Sequence, residues 1–196
     1  MTHTSFQPSA KKPLEWRADY VVVGSGAGGA AAAVALARGG AKVAIVEAGA
    51  WRDPQDYPSS SKGALRDLMD DWGATLTKGR ALWPVVQART VGGTTVINSA
   101  ICVRTPGDIF RLWEEEHGFG GDSLAERVWD KQDTIESDLC VDITSPESIG
   151  KHNTMAEKAG RQLSYEGHLI RRYAKGCSGS GQCLQGCREM KKQSTN

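Results

Sequence analysis

Asp19-Tyr-Val-Val-Val-Gly24-Ser25-Gly26-Ala27-Gly28-Gly29 opens the stretch that decides the fold, and Val43-Ala-Ile-Val-Glu47 closes it. Between them an alanine-rich run ends at Gly39-Gly40. The apolar residues 20–23 predict a strand, the alanines predict a helix that packs closely, and residues 43–46 predict a second strand. Gly39-Gly40 supplies a helix C-cap. Gly24 permits a tight turn, Gly26 removes the side chain that would meet a pyrophosphate, and Gly29 lets the helix lie against the strand. Ser25 and Ala27 complete the turn, and the helix N-terminus offers unpaired N–H groups to an anion. Glu47 stands 23 residues after Gly24, close to the offset of about 20 expected of an acid that accepts hydrogen bonds from a ribose. Its charge would repel a 2′-phosphate, which argues against NADP. Strand, turn, helix, strand and acid in this order predict an α/β, Rossmann-like dinucleotide-binding fold.

Bulk properties exclude several other classes. Twenty-four Lys and Arg stand against 23 Asp and Glu in 196 residues, with neither sign in a block, so nothing points to a nucleic-acid partner. Apolar residues make up 39%, a modest supply for a core. Arg38 and Lys42 interrupt the apolar runs well short of the roughly 18 residues of a membrane span. Residues 1–17 read as a flexible tail, and no apolar stretch follows Lys11-Lys12, so no secretory signal is expected. The expected location is cytoplasmic, where five cysteines would stay reduced.

Farther along, residues 51–61 carry two prolines and three consecutive serines, which predicts a surface excursion. Leu65, Leu68, Met69 and Trp72 fall on one face of a short amphipathic helix. Pro84 makes residues 82–88 an edge or loop. A helical segment is predicted at about 106–164. Thr105 reads as its first N-cap, with Pro106 at the first helical position and Gly118 as the stop. Ser123 and Glu126 then form a capping box before an apolar face of Leu124, Val128, Ile135 and Leu139. Residues 153–163 give a third helix, interrupted by Gly160, and residues 165–173 read as extended.

A second glycine motif, Ala88-Arg89-Thr-Val-Gly92-Gly93-Thr94-Thr95-Val-Ile-Asn98, moves the reading from nicotinamide to flavin. Paired glycines let backbone approach a flat ring or a phosphate, and the threonines and Asn98 add polar groups. With the first motif, this chain resembles the glucose-methanol-choline (GMC) oxidoreductases, FAD enzymes that oxidise alcohols. The resemblance implies that this segment runs along the pyrophosphate and isoalloxazine. Arg89, Gly92, Gly93, Thr94 and Asn98 would then join Gly24, Ser25, Gly26, Ala27, Gly29 and Glu47 in binding FAD. It also implies a small-molecule alcohol substrate, a base that takes the hydroxyl proton, and hydride transfer to flavin N5. The electron acceptor is left open. Cys102 stands where the family favours an aromatic residue or alanine, and Thr105 where it favours a small residue or proline.

The family's enzymes run far beyond 196 residues and end in a catalytic His paired with His or Asn. None of His3, His117, His152 and His168 matches that motif, so no catalytic residue is assigned. The expectation is an incomplete FAD-binding domain over residues 18–196, the N-terminal fragment of a larger two-domain enzyme and inactive alone. Two alternatives stay open: another FAD- or NAD-dependent oxidoreductase sharing only the first fingerprint, and a non-catalytic nucleotide-binding fragment.

Cys177, Cys183 and Cys187 are spaced C-x5-C-x3-C in a Gly- and Ser-rich loop at 176–188. Three close thiols in a reducing compartment favour metal or iron-sulfur ligation over disulfides. The spacing resembles that of a subset of GMC dehydrogenases whose three cysteines hold a three-iron four-sulfur cluster, although those carry proline where Arg188 stands here. A structural zinc with Cys102 or Cys140 as fourth ligand, and plain thiols, are the other readings.

Overall fold

The computed structural model describes residues 15–121 and 123–196, so positions 1–14 of the expected tail lie outside the described residues. Strand β1 (Tyr20–Val23), helix α1 (Ala27–Arg38) and strand β2 (Val43–Val46) form a βαβ unit where the glycine spacing put it. The strands pair in parallel, Tyr20 opposite Val43 through to Val23 opposite Val46. Gly29 is what lets α1 sit on this pair, because a Cβ there would lie 2.0 Å from the Gly24 carbonyl oxygen. Gly39 caps the helix, and Gly40 turns the chain with a φ of 90°. The pair is thinly covered, with Val21, Val23 and Val46 more than half exposed. Parallel strands are ordinarily buried on both faces.

The apolar core lies elsewhere. Tyr57, Ala64, Leu68, Val96 and Ile97 are buried together, flanked by Met69 and Ala88. These residues join the short helix α2 (Ser61–Asp67) to the end of the second glycine motif. Helix α2 begins at Ser60, whose hydroxyl accepts the Gly63 N–H at 3.1 Å. It stops before the predicted apolar face is complete. Trp72 instead sits in a tight turn with φ of 57° and stays exposed. The predicted edge at residues 82–88 forms no named strand and pairs with its neighbours through isolated bridges, Met69 to Ala88 and Leu76 to Pro84.

Beyond the core come β3 (Ile101–Cys102), α3 (Gly107–His117), α4 (Leu124–Asp138), β4 (Asp142–Ile143), α5 (Lys151–Gln162) and β5 (Arg171–Arg172). The three strands form an antiparallel sheet in the order β3-β5-β4. Several local expectations need correction. Pro106, rather than Thr105, is the N-cap of α3; the Thr105 carbonyl accepts the Trp129 indole N–H at 3.1 Å and so ties α3 to α4. Ser123 does precede α4, but its φ of 71° turns its side chain away from the first-turn amides, and no capping bond forms. The predicted apolar face of α4 is open, with Ile135 half exposed. Glu136 is buried in its place, held by Arg104, Arg171 and Gln132. Gly160 lies within an unbroken α5, and the extended stretch at 165–173 shrinks to β5.

Candidate cofactor site

Two turns meet at the C-terminal ends of β1 and β2. Gly24 adopts a φ of 91° and donates its N–H to the Val46 carbonyl at 2.8 Å, which fixes the first turn to the second strand. The next residue, Ser25, is buried. Its hydroxyl donates to Glu47 Oε2 at 2.7 Å and accepts the Gly92 N–H at 2.9 Å. Gly92 and Gly93 both take left-handed backbone angles, which glycine adopts without penalty. A Cβ on Gly93 would lie 3.0 Å from the Gly26 Cα, so the two motifs sit back to back with no room for side chains between them.

The outer side of Gly26 is open. A Cβ built there meets nothing within 4 Å. Gly26 is also the extended N-cap of α1, with no side chain over the first-turn amides. Ala27 is the first helical residue. Open space beside unpaired N–H groups at the positive end of a helix is a place for phosphate.

Glu47 leans over this turn from the end of β2. Oε2 accepts from the Ser25 N–H at 2.8 Å as well as from its hydroxyl, and Oε1 accepts the Gly49 N–H at 2.6 Å. Burial raises the carboxyl's pKa, but these hydrogen bonds outweigh it and hold the group below the usual Glu value. The side chain is therefore a fixed carboxylate whose Oε2 is fully used by Ser25, with one lone pair left on Oε1.

The second motif is less uniformly gathered. Thr94 Oγ1 accepts the Ala88 N–H at 3.3 Å, and Asn98 Oδ1 accepts the Ala100 N–H at 2.9 Å, so both shape their own segment. The Arg89 side chain does not reach the glycine turns. It is largely exposed and lies 3.9 Å from Asp70. Its backbone does take part, because Gly49 packs so closely that a Cβ would fall 2.4 Å from the Arg89 carbonyl carbon.

Residues near the C-terminus join the site without any sequence signal. The Thr195 hydroxyl lies 2.8 Å from the Ser25 carbonyl and 3.1 Å from the Gly92 carbonyl, and its N–H donates to Thr95 Oγ1 at 3.1 Å. Asn196 Nδ2 donates to the Tyr57 hydroxyl at 2.5 Å. Lys192 is buried beneath the second motif. No periodicity or spacing marks these polar positions.

The cysteines do not form the expected ligand set. Cys177 Sγ accepts the Gly179 N–H at 3.4 Å, Cys183 Sγ accepts from Arg172 at 3.0 Å, and Cys187 Sγ accepts the Lys191 and Lys192 N–H groups at 3.3 Å. Among the described residues, no three His, Cys, Asp or Glu side chains come together as metal ligands. This arrangement does not support the expected iron-sulfur or zinc site. The cysteine loop instead packs on Tyr57: a Cβ on Gly186 would lie 2.5 Å from its ring, and Arg188 donates to its carbonyl at 3.2 Å.

The βαβ unit thus ends in an open glycine turn backed by a second glycine turn. The GMC oxidoreductase family model matches residues 18–196, and the chain belongs to that family. It is 37% identical over 183 residues to an uncharacterized GMC-type oxidoreductase of Mycobacterium tuberculosis, covering 91% of this chain and 28% of that protein. It is 31% identical over 191 residues to a long-chain-alcohol oxidase of Arabidopsis thaliana, covering 93% and 25%. A crystal structure of formate oxidase aligns with 55% of this chain and 20% of that one, at 29% identity and a TM-score of 0.40. The chain thus spans about a quarter of the length of the relatives it matches. Among the described residues, no helix is long and apolar enough to cross a membrane.

Proposed function

We propose that this chain supplies the FAD-holding part of an oxidoreductase that acts on the CH–OH group of an alcohol. The observation that carries the reading is the junction of the two motifs: Ser25 bonded to Gly92, and Gly93 pressed against Gly26. That junction leaves Gly26 and the α1 amides open on one side, with a fixed carboxylate beside them.

In this reading Gly26 and the first amides of α1 would hold the pyrophosphate, and Glu47 would accept from the adenosine ribose through the lone pair left on Oε1. Gly24, Ser25, Ala27 and Gly29 give the turn its shape. Gly92, Gly93, Thr94 and Asn98 bring backbone and polar side chains to the flavin side. Arg89 contributes through its backbone unless its side chain leaves Asp70. When bound, the flavin supplies the hydride acceptor, at N5, for oxidation of a small-molecule alcohol. This chain's share is to hold, orient and charge-balance the cofactor, and no residue in it is assigned as the base.

The test is a titration of the 196-residue chain with FAD, followed by flavin fluorescence, with NAD as competitor. Saturable FAD binding that excess NAD does not displace supports the reading. Tighter binding of NAD than of FAD overturns it.

A further inference from the structure

Lys192 has almost no access to water, and among the described residues it takes part in no ion pair with a carboxylate. The residue is 6% exposed. The ammonium group instead donates to three backbone carbonyls: Val96, Asn98 at 2.9 Å, and Cys183 at 2.8 Å. An ammonium has three N–H donors, so every one is used. Val96 ends the helical turn Gly93–Val96, and Asn98 lies just beyond it. Their carbonyls stand at the end of a helical turn, where no further helical amide arrives to satisfy them, and a cation is the natural cap. Cys183, in the cysteine loop, is the third anchor.

We propose that Lys192 is the positioning residue of the flavin-side segment. Its ammonium caps the carbonyl end of the second glycine motif and ties that motif to the cysteine loop, so that residues 92–98 are already in shape when FAD arrives. This inference rests on the FAD reading above.

The neighbouring groups fit the assignment. Burial lowers the Lys192 pKa to about 8, the Cys183 and Cys187 thiols act in the opposite direction, and Arg172 adds to the fall. At neutral pH the group therefore remains mostly the three-donor ammonium. A neutral amine would offer two donors to three carbonyls. The segment beyond is held independently: the Lys192 N–H reaches Cys187 Sγ, and Gln193 donates to the Tyr173 carbonyl at 3.0 Å. Replacing the Lys192 side chain thus leaves the backbone path with its own anchors.

Lys192→Met and Lys192→Arg in the 196-residue chain test the proposal with three readouts. These are FAD affinity, the visible circular dichroism of bound flavin, and amide hydrogen exchange without FAD. Methionine keeps most of the length and the apolar stem but donates nothing. The expected result is FAD affinity lower by about tenfold, as for a segment left with unsatisfied buried carbonyls, together with an altered flavin dichroism. Faster exchange at residues 92–98 but not in α1 should accompany it, with partial recovery of all three readouts in Lys192→Arg. Unchanged FAD affinity and exchange in a folded Lys192→Met chain overturns the proposal. If Lys192→Met does not fold, Lys192→Gln decides, because its amide offers two donors to three carbonyls: weaker FAD binding with faster exchange at residues 92–98 supports the clamp, and wild-type values of both overturn it. Failure of the unsubstituted chain to bind FAD sinks the underlying reading instead, while the exchange pattern still decides whether Lys192 orders the segment.

Discussion

Gly92 gives its backbone N–H to the Ser25 hydroxyl at 2.9 Å, a bond that spans 67 residues of sequence and joins the two glycine turns. The same hydroxyl donates a hydrogen bond to Glu47 Oε2 at 2.7 Å. One side chain thereby connects the first glycine turn, the Glu47 carboxylate and the second glycine motif. A residue that any small side chain could replace in a simple tight turn is here the hub of three elements.

Ser25→Ala should therefore cost more than a surface hydroxyl would. It leaves the Gly92 N–H without a partner in a buried place, a loss of about 1–3 kcal/mol. Chemical denaturation should show that loss as a lower midpoint with an unchanged slope, and FAD affinity should fall with it. A variant with wild-type stability and FAD affinity would show that the two turns hold their places without this bond.

Gly26 and Gly29 separate ligand space from packing space. A Cβ on Gly26 meets nothing within 4 Å, whereas one on Gly29 would lie 2.0 Å from the Gly24 oxygen. Gly26→Val should leave the melting curve of the ligand-free chain close to wild type while abolishing FAD binding. Gly29→Ala should instead lift α1 off β1 and lower stability by several kcal/mol, in the range of severe overpacking. Full FAD binding by Gly26→Val would remove the pyrophosphate from this turn.

Glu136 gives a pH signature that has nothing to do with cofactor. Burial raises its pKa, but hydrogen bonds from Arg104, Arg171 and Gln132 outweigh that and bring it to about 2. The unfolded chain therefore takes up the proton first. The resulting stabilisation is complete above the ordinary Glu value of about 4.3 and is lost as the pH falls from there towards about 2. Glu136→Gln should be less stable than wild type at neutral pH, and the gap should close in acid. A gap that stays constant from neutral to strongly acid pH would mean that the two arginines do not hold the charged form.

The βαβ unit was legible because its signals are local. Glycine at 24, 26 and 29, alanines between two apolar runs, and an acid after the second run are each consequences of backbone geometry within 30 residues of one another. The region after residue 105 was legible as helices but not in detail. Glu136 was hidden because its burial depends on Arg104 and Arg171, neither of which a helical period can see. The cysteine spacing suggested a common ligand, but the loop spends its curvature on packing Gly186 against Tyr57, which draws the thiols to separate partners. Thr195 and Lys192 escaped for the same reason as Glu136: most of their partners lie about a hundred residues or more away.

Thr195 carries the last prediction. Its hydroxyl faces two carbonyls, Ser25 at 2.8 Å and Gly92 at 3.1 Å, one from each glycine turn. A single hydroxyl proton serves one of them at a time, so the contact bridges the turns without locking either carbonyl. Valine matches threonine in shape but cannot donate, and the two are not equivalent in a polar site. Thr195→Val should cost about 0.5–1.5 kcal/mol, the net value of one intramolecular hydrogen bond. If the bridge sets the distance between the turns, the same change should weaken FAD binding by roughly fivefold for each ~1 kcal/mol. The two effects are measured separately, by denaturation of the ligand-free chain and by FAD titration of the folded one. A stability loss with FAD affinity unchanged would make Thr195 a fastener of the C-terminal segment alone, and the spacing of the turns would then rest on Ser25.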